Sequence, residues 1–156
     1  MSMSSLAAVL PIDRRQSPTA LAVARGTTRL LHSLGFAVVS ELPLASGRRA
    51  GSDGELWIVE IKSSIADFRA DQKWIDYRLQ CDRLFFATTL DVPCEIFPLD
   101  AGLIVADAFG ASLKCEAPEH RLHAATRKSM MLAFARAAAL RLAALADPEG
   151  PCGSEC

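Results

Sequence analysis

The segment "ELWIVEIKSS", residues 55–64, decides how the rest of the chain folds around it. In an extended chain alternate side chains leave opposite faces, so Leu56 and Ile58 point one way while Trp57, Val59 and Ile61 point the other. Both faces are therefore apolar until Glu60 and Lys62. A strand of that kind is covered on both sides, which predicts a central position in a sheet with a layer above and a layer below. Glu60 and Lys62 stand two residues apart, leave the same face and lie about 7 Å apart along the strand. They can act on one site.

Outward from this strand the flanking elements follow. Upstream, "FAVVSELPL" (36–44) is rich in β-branched residues and predicts a second strand, joined to the first as a hairpin turning at Ser52, Asp53 and Gly54. Before it, Ser17 and Pro18 are a helix cap followed by proline at the first helical position, and the run "TALAVARGTTRLLHSLG" stops at Gly35. Downstream, "SIADFRADQKWIDYRLQ" places Phe68, Gln72, Ile75 and Leu79 at helical spacing, with Ser64 or Asp67 as the cap. "DRLFFATT" (82–89) and "GLIVAD" (102–107) are short apolar strands; a turn at Phe109 and Gly110 leads to an edge strand "ASLKCEA". A long Ala, Leu and Arg helix closes the chain and ends at Asp147-Pro148. This order predicts one α/β sandwich, a mixed sheet with helices on both faces. Residues 18–146 are expected to form a single domain, after an extension over 1–17 and before a flexible tail over 147–156.

A chain of 156 residues with 51% hydrophobic and 22% charged residues can bury one good core and is short for two. Its 17 basic and 18 acidic residues nearly cancel, which excludes a polycation that coats nucleic acid indiscriminately. A nucleic-acid surface would have to be a local patch. The five cysteines show no Cys-x-x-Cys spacing, so reduced thiols in a cytoplasmic protein are expected, with Cys81 a core thiol. His32, His120 and His123 do not form a recognisable ligand set. The start of the chain lacks the charge pattern of a secretory signal, and no window is expected to match the roughly 18 apolar residues of a membrane span.

A carboxylate at position 60 can hold Mg²⁺, which takes oxygen ligands and commonly one or two carboxylates completed by water and substrate phosphate. Such an ion lowers the pKa of bound water, while a neighbouring ammonium stabilises developing oxyanion charge. Glu60 and Lys62 thus suit phosphodiester cleavage. The same two residues on a strand also make a common solvated salt pair. Against that plainer alternative stands the strand itself, whose burial makes an unpaired charge cost several kcal/mol.

Four stretches, "GRRA", "GELWIVEIKSSIADFRADQKWIDYRLQCDRLFFA", "DAGLIVADAFGA" and "APEHRLHAATRKSMMLAFARAAALRLA", resemble the MmcB-type DNA repair proteins of bacteria, assigned to the PD-(D/E)XK nuclease superfamily. The similarity runs from about Thr19 to Leu145. It implies a restriction-endonuclease-like three-layer sandwich, a Mg²⁺-dependent nuclease activity and a role in DNA-damage tolerance. By the same resemblance Glu60 is the acidic metal ligand, Lys62 the catalytic lysine and the backbone carbonyl of Ile61 a further ligand. Relatives of this type carry an Asp directly after Arg-Arg-Ala; here Arg48, Arg49 and Ala50 are followed by Gly51. Asp53, at the expected turn, lies about 20 Å of strand away from Glu60, too far to share an ion whose ligand oxygens sit about 2.1 Å from it. Ala45 or Gly47 is expected opposite Glu60, and neither has a carboxylate. Glu41 and Asp67 are the two acids near enough in sequence to compensate, with a solvated strand charge and a helix N-terminal charge as their plainer roles.

For the partner, DNA, the candidate contacts are Arg48, Arg49, Arg69, Gln72, Lys73, Trp74 and Tyr77, cations for phosphates and rings for bases. Core packing is an equal alternative for Trp74. Two functions stay open: a Mg²⁺-dependent deoxyribonuclease with an incomplete site, which binds DNA and cleaves poorly or not at all, and a non-catalytic DNA-binding or adaptor protein.

Overall fold

The structure, a computed structural model, describes residues 16–39, the backbone of 44–47, and 54–150. Helix α1 (Pro18–Ser33) starts where Ser17 accepts a hydrogen bond from the Ala20 amide at 3.1 Å and Pro18 fills the first turn. It ends before Gly35, whose φ of 86° suits a residue without a Cβ. Strands β1 (Phe36–Val39), β2 (Leu44–Gly47) and β3 (Glu55–Ile61) follow as an antiparallel meander. The expected strand over 36–44 is thus two strands, and β2 rather than β1 pairs with β3. This corrects the register: Ala45 pairs with Trp57 and Gly47 with Glu55, so neither lies opposite Glu60.

Strands β4 (Arg83–Thr88) and β5 (Gly102–Ala106) run parallel to β3, and β6 (Ala111–Cys115) returns antiparallel at the edge. The result is a six-stranded mixed sheet in the order β1-β2-β3-β4-β5-β6. One face carries α1, which packs Val23 and Leu31 on Phe36, Trp57, Val59, Phe85 and Ile104. The other face, built on Ile58, Leu84, Phe86 and Leu103, is covered by α2 (Ile65–Ala70), α3 (Trp74–Tyr77) and α4 (Ala124–Ala146). Leu56, Trp57, Ile58 and Val59 are all buried, as a strand apolar on both faces must be.

Two further features differ from the sequence-based expectation. The predicted helix over 64–80 is broken: α2 ends at Asp71, which is extended (φ −116°, ψ 115°), and a 3₁₀ turn (Arg78–Gln80) follows α3. The break rotates the second half, so Trp74 and Tyr77 join Phe68 against the core while Ile75 and Leu79 are left exposed. The closing helix α4 is, by length and composition alone, long and apolar enough for a membrane span, with a mean hydropathy of 1.5 over an 18-residue window. Its Met130, Ala133, Phe134 and Ala137 face the domain.

A buried polar latch ties α4 to the sheet. Asp82 accepts from both Nη atoms of Arg127 at 2.7 Å and from the Leu56 and Leu122 amides at 2.8 and 3.0 Å. Arg127 also donates to the Gly54 carbonyl at 2.8 Å. With four hydrogen bonds to one buried carboxylate, the starts of β3, β4 and α4 are held together. Arg127 therefore belongs to the interior framework rather than to a solvated rim.

Candidate functional site

The site lies at the C-terminal end of β3, on the face covered by α2, α3 and α4. Glu60 and Lys62 follow Leu56 and Ile58 on that face, and their side chains meet: Lys62 Nζ lies 3.2 Å from Glu60 Oε1. The Lys62 side chain is almost completely buried, at 1% exposure. The strand end is anchored to β4, because the Lys62 amide donates to the Ala87 carbonyl at 2.9 Å and the Thr88 hydroxyl donates to the Lys62 carbonyl at 2.7 Å. Backbone groups of successive residues point to opposite sides of a strand, so the Ile61 carbonyl faces away from β4, toward the β2 side.

Sequence reasoning missed one residue here. Asp71 Oδ2 accepts from Lys62 Nζ at 3.0 Å, so a second carboxylate grips the same ammonium. Helical periodicity hid it, since a continuous helix over 64–80 makes Asp71 one more surface charge. Its other oxygen, Oδ1, accepts from the Lys73 amide at 2.9 Å. That local bond competes with helical pairing, ends α2 and fixes the carboxylate toward β3. An Asp able to bond its own backbone two residues on, seven residues after an N-cap Ser, was the available signal.

Electrostatics follow from burial and from this cluster. Burial, assisted by the Asp71 and Asp67 charges, holds the Glu60 carboxyl above its ordinary 4.5 despite the opposing pull of Lys62. For Lys62 burial works downward, but Glu60 and Asp71 outweigh it and keep the ammonium above 10.5. For Asp71 burial works upward, and the Lys73 amide with the Lys62 ammonium brings it below 3.8. The Tyr77 phenol is raised above 10, first by burial and then by Glu60 and Asp71, which puts it within electrostatic reach of the cluster.

The remaining candidates fall into three groups. Asp67 stands beside the cluster, but its Oδ2 accepts from the Ser63 amide at 2.9 Å and from the Ser63 hydroxyl at 3.3 Å, closing the turn into α2. The helix cap itself is Ser64, whose hydroxyl accepts from the Asp67 amide at 3.1 Å. Arg69, Gln72 and Lys73 are exposed around the α2–α3 break, next to Asp71. Trp74 packs its ring on Phe68 and Phe86, with centroids 6.4 and 5.4 Å away, which gives it a core contact on this face. Glu41, Arg48, Arg49 and Asp53 lie outside the described residues. Cys81 is buried, with its thiol pushed up to about 12, so it stays protonated near neutral pH.

Among the described residues no three Asp, Glu, His or Cys side chains gather as a metal-ligand set. Two carboxylates, those of Glu60 and Asp71, meet on the Lys62 ammonium. Their oxygens lie 3.2 and 3.0 Å from one nitrogen, hence no more than about 6.2 Å from each other. Oxygen-only donors of this number fit Mg²⁺, which usually keeps several waters beside one or two carboxylates.

A mixed sheet with helices on both faces, carrying a carboxylate, lysine and carboxylate cluster at the end of a central strand, defines the class: a three-layer α/β sandwich with a polar site at the end of β3. The chain belongs to the MmcB-like DNA repair protein family, whose model matches residues 8–149. It is also similar to a solved structure described as the SPO1766 protein of unknown function from Silicibacter pomeroyi. The two share 40% identity and superpose with a TM-score of 0.81, covering 90% of this chain and 99% of that one. No curated protein matches the sequence.

Proposed function

We propose that this chain binds DNA in repair on a PD-(D/E)XK nuclease-like, restriction-endonuclease-like fold, as a Mg²⁺-dependent deoxyribonuclease of low activity in the cytoplasm. Glu60 would hold the metal, with the Ile61 carbonyl as a further ligand, and Lys62 would stabilise charge on the phosphate. When bound, the ion supplies an activated water and neutralises the phosphodiester. The observation that carries this is the meeting of Glu60 and Lys62 at 3.2 Å on the buried end of a central strand. Arg69, Gln72 and Lys73, exposed around Asp71, would contact phosphates, and Tyr77 lies within electrostatic reach of the cluster. Family membership in DNA repair supports the choice of DNA as partner.

A second function, non-catalytic DNA binding, is favoured by one specific feature: two of the three Lys62 protons are already spent on carboxylates, which leaves one for a phosphate. Cleavage of plasmid and linear DNA, with and without Mg²⁺, separates the two. Slow Mg²⁺-dependent cutting that disappears in Glu60→Ala and in Lys62→Ala is the expected result. DNA binding without any cutting transfers the chain to the second function, and absence of salt-sensitive DNA binding defeats both.

A further inference from the structure

The nuclease-like function above needs a second carboxylate for its cation, and the position after Arg48-Arg49-Ala50, where the family resemblance implies it, holds Gly51. Resting on that function, we propose that Asp71, delivered by the break between α2 and α3, takes the place of the missing hairpin aspartate as the second carboxylate of a divalent-cation site with Glu60.

Three features of the structure carry this. First, Asp71 and Glu60 already share a cation: the Lys62 ammonium lies 3.0 Å from one and 3.2 Å from the other, so both carboxylates point at one spot. Second, Asp71 is aimed. Its Oδ1 is pinned by the Lys73 amide at 2.9 Å, which leaves Oδ2 for the cluster, and its side chain is 32% exposed, so water and a phosphate can approach from that side. Asp67, the other acid near the cluster among the described residues, has its Oδ2 committed to Ser63. Third, the charges do not balance. Ionised Glu60, Asp71 and Asp67 against the Lys62 and Lys73 ammoniums, which both act on Asp71, leave one negative charge, and a divalent ion answers that excess better than the lysines alone. The Lys62 ammonium and the metal compete for the same two oxygens. Metal entry would free Lys62 Nζ toward a phosphate, the role the nuclease-like function assigns to it.

Mn²⁺ binding to the full chain, followed by electron paramagnetic resonance of the free ion, tests the assignment without relying on cleavage. Glu60→Gln and Asp71→Asn should each weaken Mn²⁺ binding by at least about tenfold, the loss that even indirect metal partners produce. Lys62→Met, which removes the competing ammonium, should bind Mn²⁺ more tightly than the native chain, and added Mg²⁺ should raise its Tm more. Asp71→Asn with unchanged Mn²⁺ affinity, beside a Glu60→Gln that has lost it, overturns the Asp71 assignment and leaves the nuclease-like function standing. No Mn²⁺ binding by the native chain overturns both the assignment and the metal-dependent function, while DNA binding measured on the same sample decides whether the non-catalytic one survives. Should Lys62→Met fail to fold without metal, the two carboxylate variants remain decisive.

Discussion

The fate of Asp82 shows how much one buried side chain can hold. Its carboxylate accepts four hydrogen bonds, two from Arg127 and two from backbone amides, in a position that is 1% exposed. Burial alone would raise its pKa, but Arg127 and the Leu56 and Leu122 amides bring it below 3.8. A carboxyl whose pKa is lower folded than unfolded adds stability that is present above its unfolded value and lost as pH falls through its folded value. Two predictions follow from the sign and the geometry. Arg127→Met leaves a buried charge without its partner and should cost about 3–5 kcal/mol in urea unfolding at neutral pH. The advantage of the native chain over Asp82→Asn should shrink as pH drops below 3.8, which a series of denaturation curves between neutral and acid pH measures.

Between elements, one close approach and one interruption decide the arrangement. Helix α1 crosses the β5–β6 turn at Gly26, where an added Cβ would stand 2.2 Å from the Asp107 carbonyl oxygen and 2.4 Å from that of Gly110. Gly26→Ala should therefore lower stability by about 1–3 kcal/mol through overpacking, although alanine favours an isolated helix by about 1 kcal/mol. Thermal unfolding of the variant checks the sign; a gain in Tm would mean that α1 can shift without cost. The α2–α3 interruption has the opposite character, since a side chain rather than a missing one produces it. Asp71→Ala removes the bond to the Lys73 amide and the contact with Lys62 together. The segment over 65–77 should become more helical and the amides around the break more uniformly protected, which hydrogen exchange reads residue by residue.

For the whole molecule, the formal charge of −1 means that the proposed attraction to DNA would have to come from a local group of cations rather than from the net field. Arg69 and Lys73, both exposed and each two residues from Asp71, are the cations the proposed function uses for it. If each contacts one phosphate, the slope of log affinity against log salt should flatten by about 0.9 for each residue replaced by alanine. Fluorescence anisotropy with a duplex across a range of salt concentrations gives that slope. A double variant with the native slope would move the DNA surface elsewhere on the protein.

Much of this architecture is legible in the residues. The two-faced apolarity of 56–59 is enough to place a strand at the centre of a sheet, and caps such as Ser17-Pro18 mark a helix start, because these signals are local and periodic. Glu60 and Lys62 are legible for the same reason: strand alternation fixes their common face. The register was not, because the split of 36–47 into two strands depends on which backbone groups pair across the sheet. Nor was Asp71, whose carboxylate reaches Lys62 across nine residues only because its own backbone bond breaks the helix and turns it toward β3. Local periodicity determined the layers and half of the site. The second carboxylate on Lys62 was decided by tertiary structure, since no pattern along the chain records which charges meet once an element is interrupted.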